Sequence, residues 1–343
     1  MRELFDTTVQ RLFGDLATPE AVMALEAGTW PAALWDGIAE SGFSLASAPE
    51  EAGGTGSDWN DLYVVVRACG RHAVPAPLPE ALLANWLLGR AGLQAIEGTL
   101  TFAAASTLRI DSGHASGQLN DVPWGRHANH VVALAGDQVV LLRTADADTV
   151  ALQLNMAGEP RDTLSFAHAE VLASGALPAD MPADILLLGG AMLRSAQMAG
   201  ALQAVLEMTV QYAGERSQFG RPIAGFQAIQ HRLAVLAEQT AAAMIASEAA
   251  FAESDAQLAR LAVMAAKVCA SEAAGIAADT AHAVHGAIGI TEEHALHLLT
   301  QRLWSWRSEF GSATYWAQQI GRDACAGGAQ RYWPTITATG DLA

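Results

Sequence analysis

What most constrains the fold of this chain is a change of texture partway along it. Between about residues 99 and 175 run "TLTFAAA", "HVVALA", "QVVLLR", "TVALQL" and "TLSFAHAEVL", all short and rich in β-branched and apolar residues. "AGDQ" and "AGEPRD" sit among them as turn-like separators. Strands that succeed one another without intervening helices predict an antiparallel barrel or sandwich.

Helical patterns flank this stretch. Leu4, Phe5, Val9, Leu12 and Phe13 recur at helical spacing, and "WDGIAESGF" runs to a glycine stop. "PEEAGGTGSDW" is a loop, after which Asp58 or Ser57 caps "WNDLYVVVRACGRHA". Beyond residue 184 three apolar stripes follow: Ala201, Val205, Met208, Tyr212; then Ile229, Leu233, Leu236, Thr240; then Leu258, Leu261, Met264, Val268. "SDAQ" at 254–257 has the form of a capping box, with Ser254 as N-cap. The chain therefore reads as an α+β multidomain protein. A helical domain spans 1–98, a middle antiparallel β-domain 99–183 and a helical bundle 184–343.

Composition narrows the function classes. Hydrophobic residues make up 51% and charged ones 16%, as expected of a chain with a large core. The formal charge of −17 leaves no basic surplus to neutralise phosphates, so nucleic acid is not expected as a partner. Cys69, Cys269 and Cys325 lie too far apart for a metal knuckle or a disulfide framework. "MRELFDTTVQRLFGDL" lacks an apolar signal core, and no run of eighteen uninterrupted apolar residues occurs, so a cytoplasmic chain without a membrane span is expected.

Three segments carry candidate chemistry. In "YAGERSQFGRPIAGFQAIQHRLAVL", Arg216 can bind a phosphate, Phe219 offers a flat face, and Gln227 opens a helix whose free N–H groups favour anions. The same residues suit a solvated loop between helices with a structural arginine. In "AVHGAIGITEEHALHLL", Gly286, Ala287 and Gly289 form a small-residue turn that admits a ligand or another backbone. His294 and His297 stand i, i+3, but no third ligand has suitable spacing, so no metal is expected. In "RLWSWRSEFGSATYW", Glu309 lies among aromatics that would raise its pKa, as a general base needs. The plain alternative is a carboxylate paired with Arg302 or Arg307.

Taken together, "PEEAGGTG", "RSQFGRPIAGFQAIQHRLA" and "HGAIGITEEHALHLL", in this order, resemble the acyl-CoA dehydrogenase family over essentially the whole chain. The resemblance implies a helical N-terminal domain, a β-domain and a C-terminal four-helix bundle. It implies FAD bound between these parts and a neighbouring subunit. Arg216, Ser217, Gln218, Phe219, Phe226 and Gln227 would contact its adenosine and pyrophosphate. Val284, His285, Gly286 and Ala287 would reach it across a dimer interface, and Ser312, Ala313 and Thr314 would lie near the dinucleotide. Trp124 corresponds to the β-domain aromatic beside the flavin ring. The implied reaction is α,β-dehydrogenation of an acyl-CoA thioester, with electrons passed to an electron-transferring flavoprotein.

The chain departs from the family pattern at the base. The usual Glu directly precedes the glycine that is Gly311 here, and that place holds Phe310, with Glu309 one residue earlier. A one-residue shift rotates a helical position by about 100°. The family's alternative base position falls near Gly190 in "LLLGGAML", again without a carboxylate. The short chain, trimmed β-domain and "RLWSWRSEFG" resemble a bacterial subset that acts on steroid or other ring-bearing acyl-CoA substrates and pairs unlike subunits. Two expectations follow: a dehydrogenase using Glu309 as catalytic base, as a homo-oligomer or in a heterotetramer with a related subunit, or a partner subunit that completes the FAD site but lacks the base.

Overall fold

The computed structural model describes residues 1–337. Five helices open the chain: α1 (Arg2–Leu16), α2 (Pro19–Glu26), α3 (Ala32–Glu40), α4 (Trp59–Arg71) and α5 (Leu78–Arg90). The Asp58 carboxylate accepts the Asp61 N–H at 2.7 Å and so caps α4, one of the two expected caps.

The middle region is two sheets. One has the order β1 (Leu100–Ala103), β5 (His130–Ala135), β6 (Gln138–Arg143), β9 (Ala173–Ala176). The other has the order β2 (Ala105–Ser106), β4 (His114–Pro123), β8 (Arg161–Glu170), β7 (Thr149–Ala151), with β3 (Arg109–Asp111) paired to β4. The β5–β6 hairpin closes over two residues, Gly136 and Asp137, with Gly136 at φ +65°. The antiparallel expectation holds for every pair but one, since β1 and β5 run parallel. Buried Leu119, Val122, Val131, Val140, Leu142 and Leu164 fill the space between the sheets.

The chain then returns to helix. α6 (Ile185–Glu215) leads through the small hairpin of β10 (Ser217–Gln218) and β11 (Arg221–Pro222) to α7 (Gln227–Ala252), α8 (Arg260–His285), α9 (Leu296–Trp306), α10 (Ala313–Gly327) and α11 (Ala329–Thr337). The α6 stripe is seated at Ala201 and Val205, both 0% exposed. The 254–257 segment does not cap α8, which starts at Arg260. Ser254 instead follows α7, accepting the Ala259 N–H and donating to the Ala250 carbonyl. Leu258 therefore precedes the helix, and Leu261 is partly exposed.

α6 is the central helix, and the most apolar window of its length is 94% buried. Its small residues serve close packing. A Cβ on Gly200 would lie 1.9 Å from the Arg67 carbonyl oxygen of α4, and one on Gly70 of α4 would lie 1.8 Å from that of Gln197. The two helices thus cross backbone to backbone, which only glycine allows. Trp59 and Tyr63 of α4 also stack edgewise on Phe251 of α7, tying the N-terminal helices to the bundle.

Candidate active site

A cleft of about 730 Å³ opens where the β-domain meets the start of α6 and the end of α9. Ala104, Asn120, Leu187, Trp304, Glu309 and Phe310 are on its walls. α9 stops at Trp306, and a short turn then presents Glu309, Phe310 and Gly311 before Ser312 caps α10 by accepting the Tyr315 N–H.

Glu309 faces two arginines. Arg161 of β8 grips it as a fork, Nε to Oε1 and Nη2 to Oε2, both at 2.9 Å. Arg194 of α6 donates Nε to Oε2 at 2.8 Å, and Asn155 donates Nδ2 to Oε1 at 2.9 Å. Burial alone would raise this carboxyl. Arg161 and Arg194 outweigh it and hold the pKa down to about 2. This revises the expectation of a raised pKa in an aromatic pocket. A carboxylate with that affinity for protons, and with four hydrogen bonds, is a poor base. Its partners are not Arg302 or Arg307, the alternatives suggested by proximity along the chain.

The pair is part of a longer chain of charges. Arg194 Nη2 donates to Glu80 of α5 at 2.8 Å, and its Nη1 bonds Gln197. Arg161 Nη2 also reaches Glu159 at 2.8 Å, which accepts Trp306 Nε1 at 2.9 Å and pairs with Arg302 at 3.3 Å. Glu80, Arg194, Glu309, Arg161, Glu159 and Arg302 so join all three regions of the fold, each charge countered by its neighbour. Burial of such groups is tolerated only when they are paired.

Phe310 adopts φ +52°, a left-handed conformation that is costly for a bulky residue. Its ring lies 5.3 Å from that of Phe102 and 5.3 Å from the Arg194 guanidinium. A Cβ on Gly190 would stand 2.4 Å from Phe310 Cγ. The two places where the resemblance puts a catalytic carboxylate are thus in contact, filled by a phenyl ring and by a glycine that makes room for it.

A second pocket, of about 450 Å³, lies at the far end of α6. Arg216, Gln218, Phe219 and Phe226 line it together with Val284, His285, Gly286 and Ala287, all from one chain. The two motifs, about seventy residues apart in sequence, are therefore brought together. Tyr212 stacks on His285 at 4.4 Å. His285 bonds the Ala281 carbonyl through Nδ1 at 2.9 Å, so Nδ1 carries the proton, and burial lowers the ring's pKa. Its Nε2 is then a buried acceptor without a partner among the described residues. Phe219 is 91% exposed at φ +52°, and Arg221 covers Phe226 at 4.3 Å.

The remaining expected residues lie apart. Ser217 is exposed on β10 outside the pocket lining, and Gln227 lines a separate shallow hollow with His231. Ala313 and Thr314 open α10 beside Glu272. Trp124 is 3% exposed at φ +59° and does not line the cleft, so it offers no face to a ligand there. Sequence reasoning missed Arg161, Arg194, Glu80 and Asn155. One signal pointed to Arg194: it is a lone cation in the apolar run "LLLGGAMLRSAQMAG", and a buried cation needs an anion.

The three-part fold, a cleft walled by β-domain and bundle, and a second pocket lined by Arg216 and the Val284–Ala287 turn make up a scaffold shared with known proteins. The acyl-CoA dehydrogenase N-terminal domain model matches residues 2–96 and the C-terminal domain model matches residues 186–324, and the chain belongs to the acyl-CoA dehydrogenase family, a family of oxidoreductases. Acyl-CoA dehydrogenase IpdE2 of Mycobacterium tuberculosis is 32% identical over 308 residues, covering 88% of this chain and 90% of that protein. Among solved structures, the ChsE4–ChsE5 complex from Mycobacterium tuberculosis superposes with a TM-score of 0.84 at 23% identity, covering 96% of this chain and 98% of that one. A steroid acyl-CoA dehydrogenase variant, Tcur3481–Tcur3483, superposes with a TM-score of 0.81 at 25% identity, covering 95% and 98%.

Proposed function

We propose that the chain is a subunit of an FAD-dependent acyl-CoA dehydrogenase that completes a flavin site but supplies no base for the α-proton from its own cleft. One observation carries this reading: the Phe310 ring lies on Gly190 while Glu309 is turned into Arg161 and Arg194. Within 309–311 and around 190, no carboxylate is free to take a proton.

The second pocket fits the adenosine diphosphate end of FAD. The unpartnered His285 Nε2 accepts a hydrogen bond from a nucleoside N–H or O–H, and Arg216 meets phosphate. Tyr212 and Phe226 supply flat apolar surface beside them. The chemistry that FAD would supply when bound is acceptance of hydride from the β-carbon of an acyl-CoA thioester, with the electrons leaving to an electron-transferring flavoprotein. A related subunit that carries the family Glu supplies the base. The neighbour described as a complex of two proteins and the one described as a steroid enzyme support a heteromer acting on a ring-bearing acyl-CoA.

The self-sufficient alternative requires Glu309 to leave both arginines before it can accept a proton. Visible spectra separate the readings. The chain alone is expected to hold little flavin and to gain it with a related subunit. Substrate-dependent bleaching of flavin on the purified chain alone would overturn the partner reading.

A further inference from the structure

Lys267 takes no part in the ion chain, yet it lies against the same turn. It is the sole lysine among the 19 lysines and arginines of the sequence, and it is 0% exposed within α8. Its Nζ donates to the carbonyl oxygens of Trp306 at 3.0 Å and Arg307 at 2.9 Å, and to Ser271 Oγ at 3.3 Å. Ser271 Oγ donates in turn to the Arg307 carbonyl at 3.1 Å. Among the described residues, no carboxylate lies within ion-pair distance of Nζ.

Three acceptors match the three N–H groups of an ammonium, whereas a neutral amine offers only two. Two of those acceptors are carbonyls at the C-terminus of α9, the negative end of a helix, which favours a cation. A guanidinium is planar and spreads its donors in a rigid fork, so it does not address two successive carbonyls from one compact point. Among the 19 lysines and arginines every other one is arginine, and the exception falls where ammonium geometry is needed.

We propose that Lys267 is the positioning residue of the cleft turn. Its ammonium ties the end of α9 to α8, and so aims Glu309 at Arg161 and Arg194 and lays Phe310 on Gly190. The inference rests on the geometry of the turn and holds whichever flavin reading is correct. The charges that face Nζ are Glu309 from the turn, Arg194 from α6 and Arg307 at the end of α9. Burial pushes the ammonium down to about 7; Glu309 opposes that shift, and Arg194 and Arg307 add to it.

A single lysine makes the test direct. The full chain grown with lysine carbon-13 labelled at Cε gives one lysine resonance, whose pH titration reports this amine alone. A midpoint near neutrality is expected, and it should fall further in Ser271→Ala, which removes one acceptor. Hydrogen exchange across residues 303–316 should be at least about tenfold faster in Lys267→Met, with α4 unchanged, and Lys267→Arg should not restore the slow rate. The proposal is overturned by a midpoint at the ordinary lysine value that Ser271→Ala leaves unmoved, by native exchange in Lys267→Met, or by full rescue in Lys267→Arg. If Lys267→Met does not fold, the titrations of the native chain and of Ser271→Ala decide.

Discussion

Glu309 shows how one residue changes meaning with its surroundings. Aromatics nearby in sequence suggested a carboxyl that holds its proton; arginines nearby in space keep it an anion at neutral pH. Replacing it with Gln leaves Arg161 and Arg194 buried without their shared counter-charge. A loss of about 3–5 kcal/mol is expected, seen as a lower denaturant midpoint. An unchanged midpoint would show that the ion pairs do not stabilise the fold. The same residue sets an acid limit. Its pKa is near 2 when folded and 4.5 ordinarily, so its contribution is fully present above pH 4.5 and is lost as the pH falls toward 2. The difference corresponds to roughly 3 kcal/mol. Urea midpoints measured from pH 6 down to 3 should begin to drop below about 4.5, and Glu309→Gln should flatten that part of the curve.

At the scale of elements, the crossing of α4 and α6 leaves no room for a side chain at Gly70 or Gly200. Gly200→Ala is expected to destabilise the chain by at least about 1–3 kcal/mol, because backbone rather than a movable side chain opposes the new methyl. Gly214→Ala, on the same helix with open space around it, should instead gain about 0.5–1 kcal/mol. Comparable losses in thermal melts of both variants would refute the backbone-contact explanation. Much of this level was legible in the sequence. The α6 stripe, the Asp58 cap and the β5–β6 hairpin follow from local spacing and turn chemistry. β4 did not declare itself, since "HASGQLNDVP" is polar on its outer face and broken by Gly117. The start of α8 was misplaced because Ser254 serves the end of one helix and not the beginning of the next. The ion chain was illegible for another reason. Arg194 and Arg161 stand 115 and 148 residues from Glu309, and no periodicity links residues that far apart.

At the scale of the whole molecule, the two pockets should respond independently. Arg216 is exposed and adds nothing to the core, so Arg216→Ala should weaken ADP binding about tenfold or more, measured by titration calorimetry, while leaving the melting temperature in place. Equal ADP affinity in the variant would remove the second pocket from any nucleotide role.

The seclusion of Lys267 also bears on how assembly can be detected. Among the described residues no lysine amine reaches solvent. Cross-linkers that react with lysine side chains find no accessible lysine on this chain, so the absence of lysine-to-lysine cross-links would carry no information about its quaternary structure. Carboxylate-directed reagents, which find many exposed acidic side chains, or mass measured without chemistry are the appropriate routes to its stoichiometry.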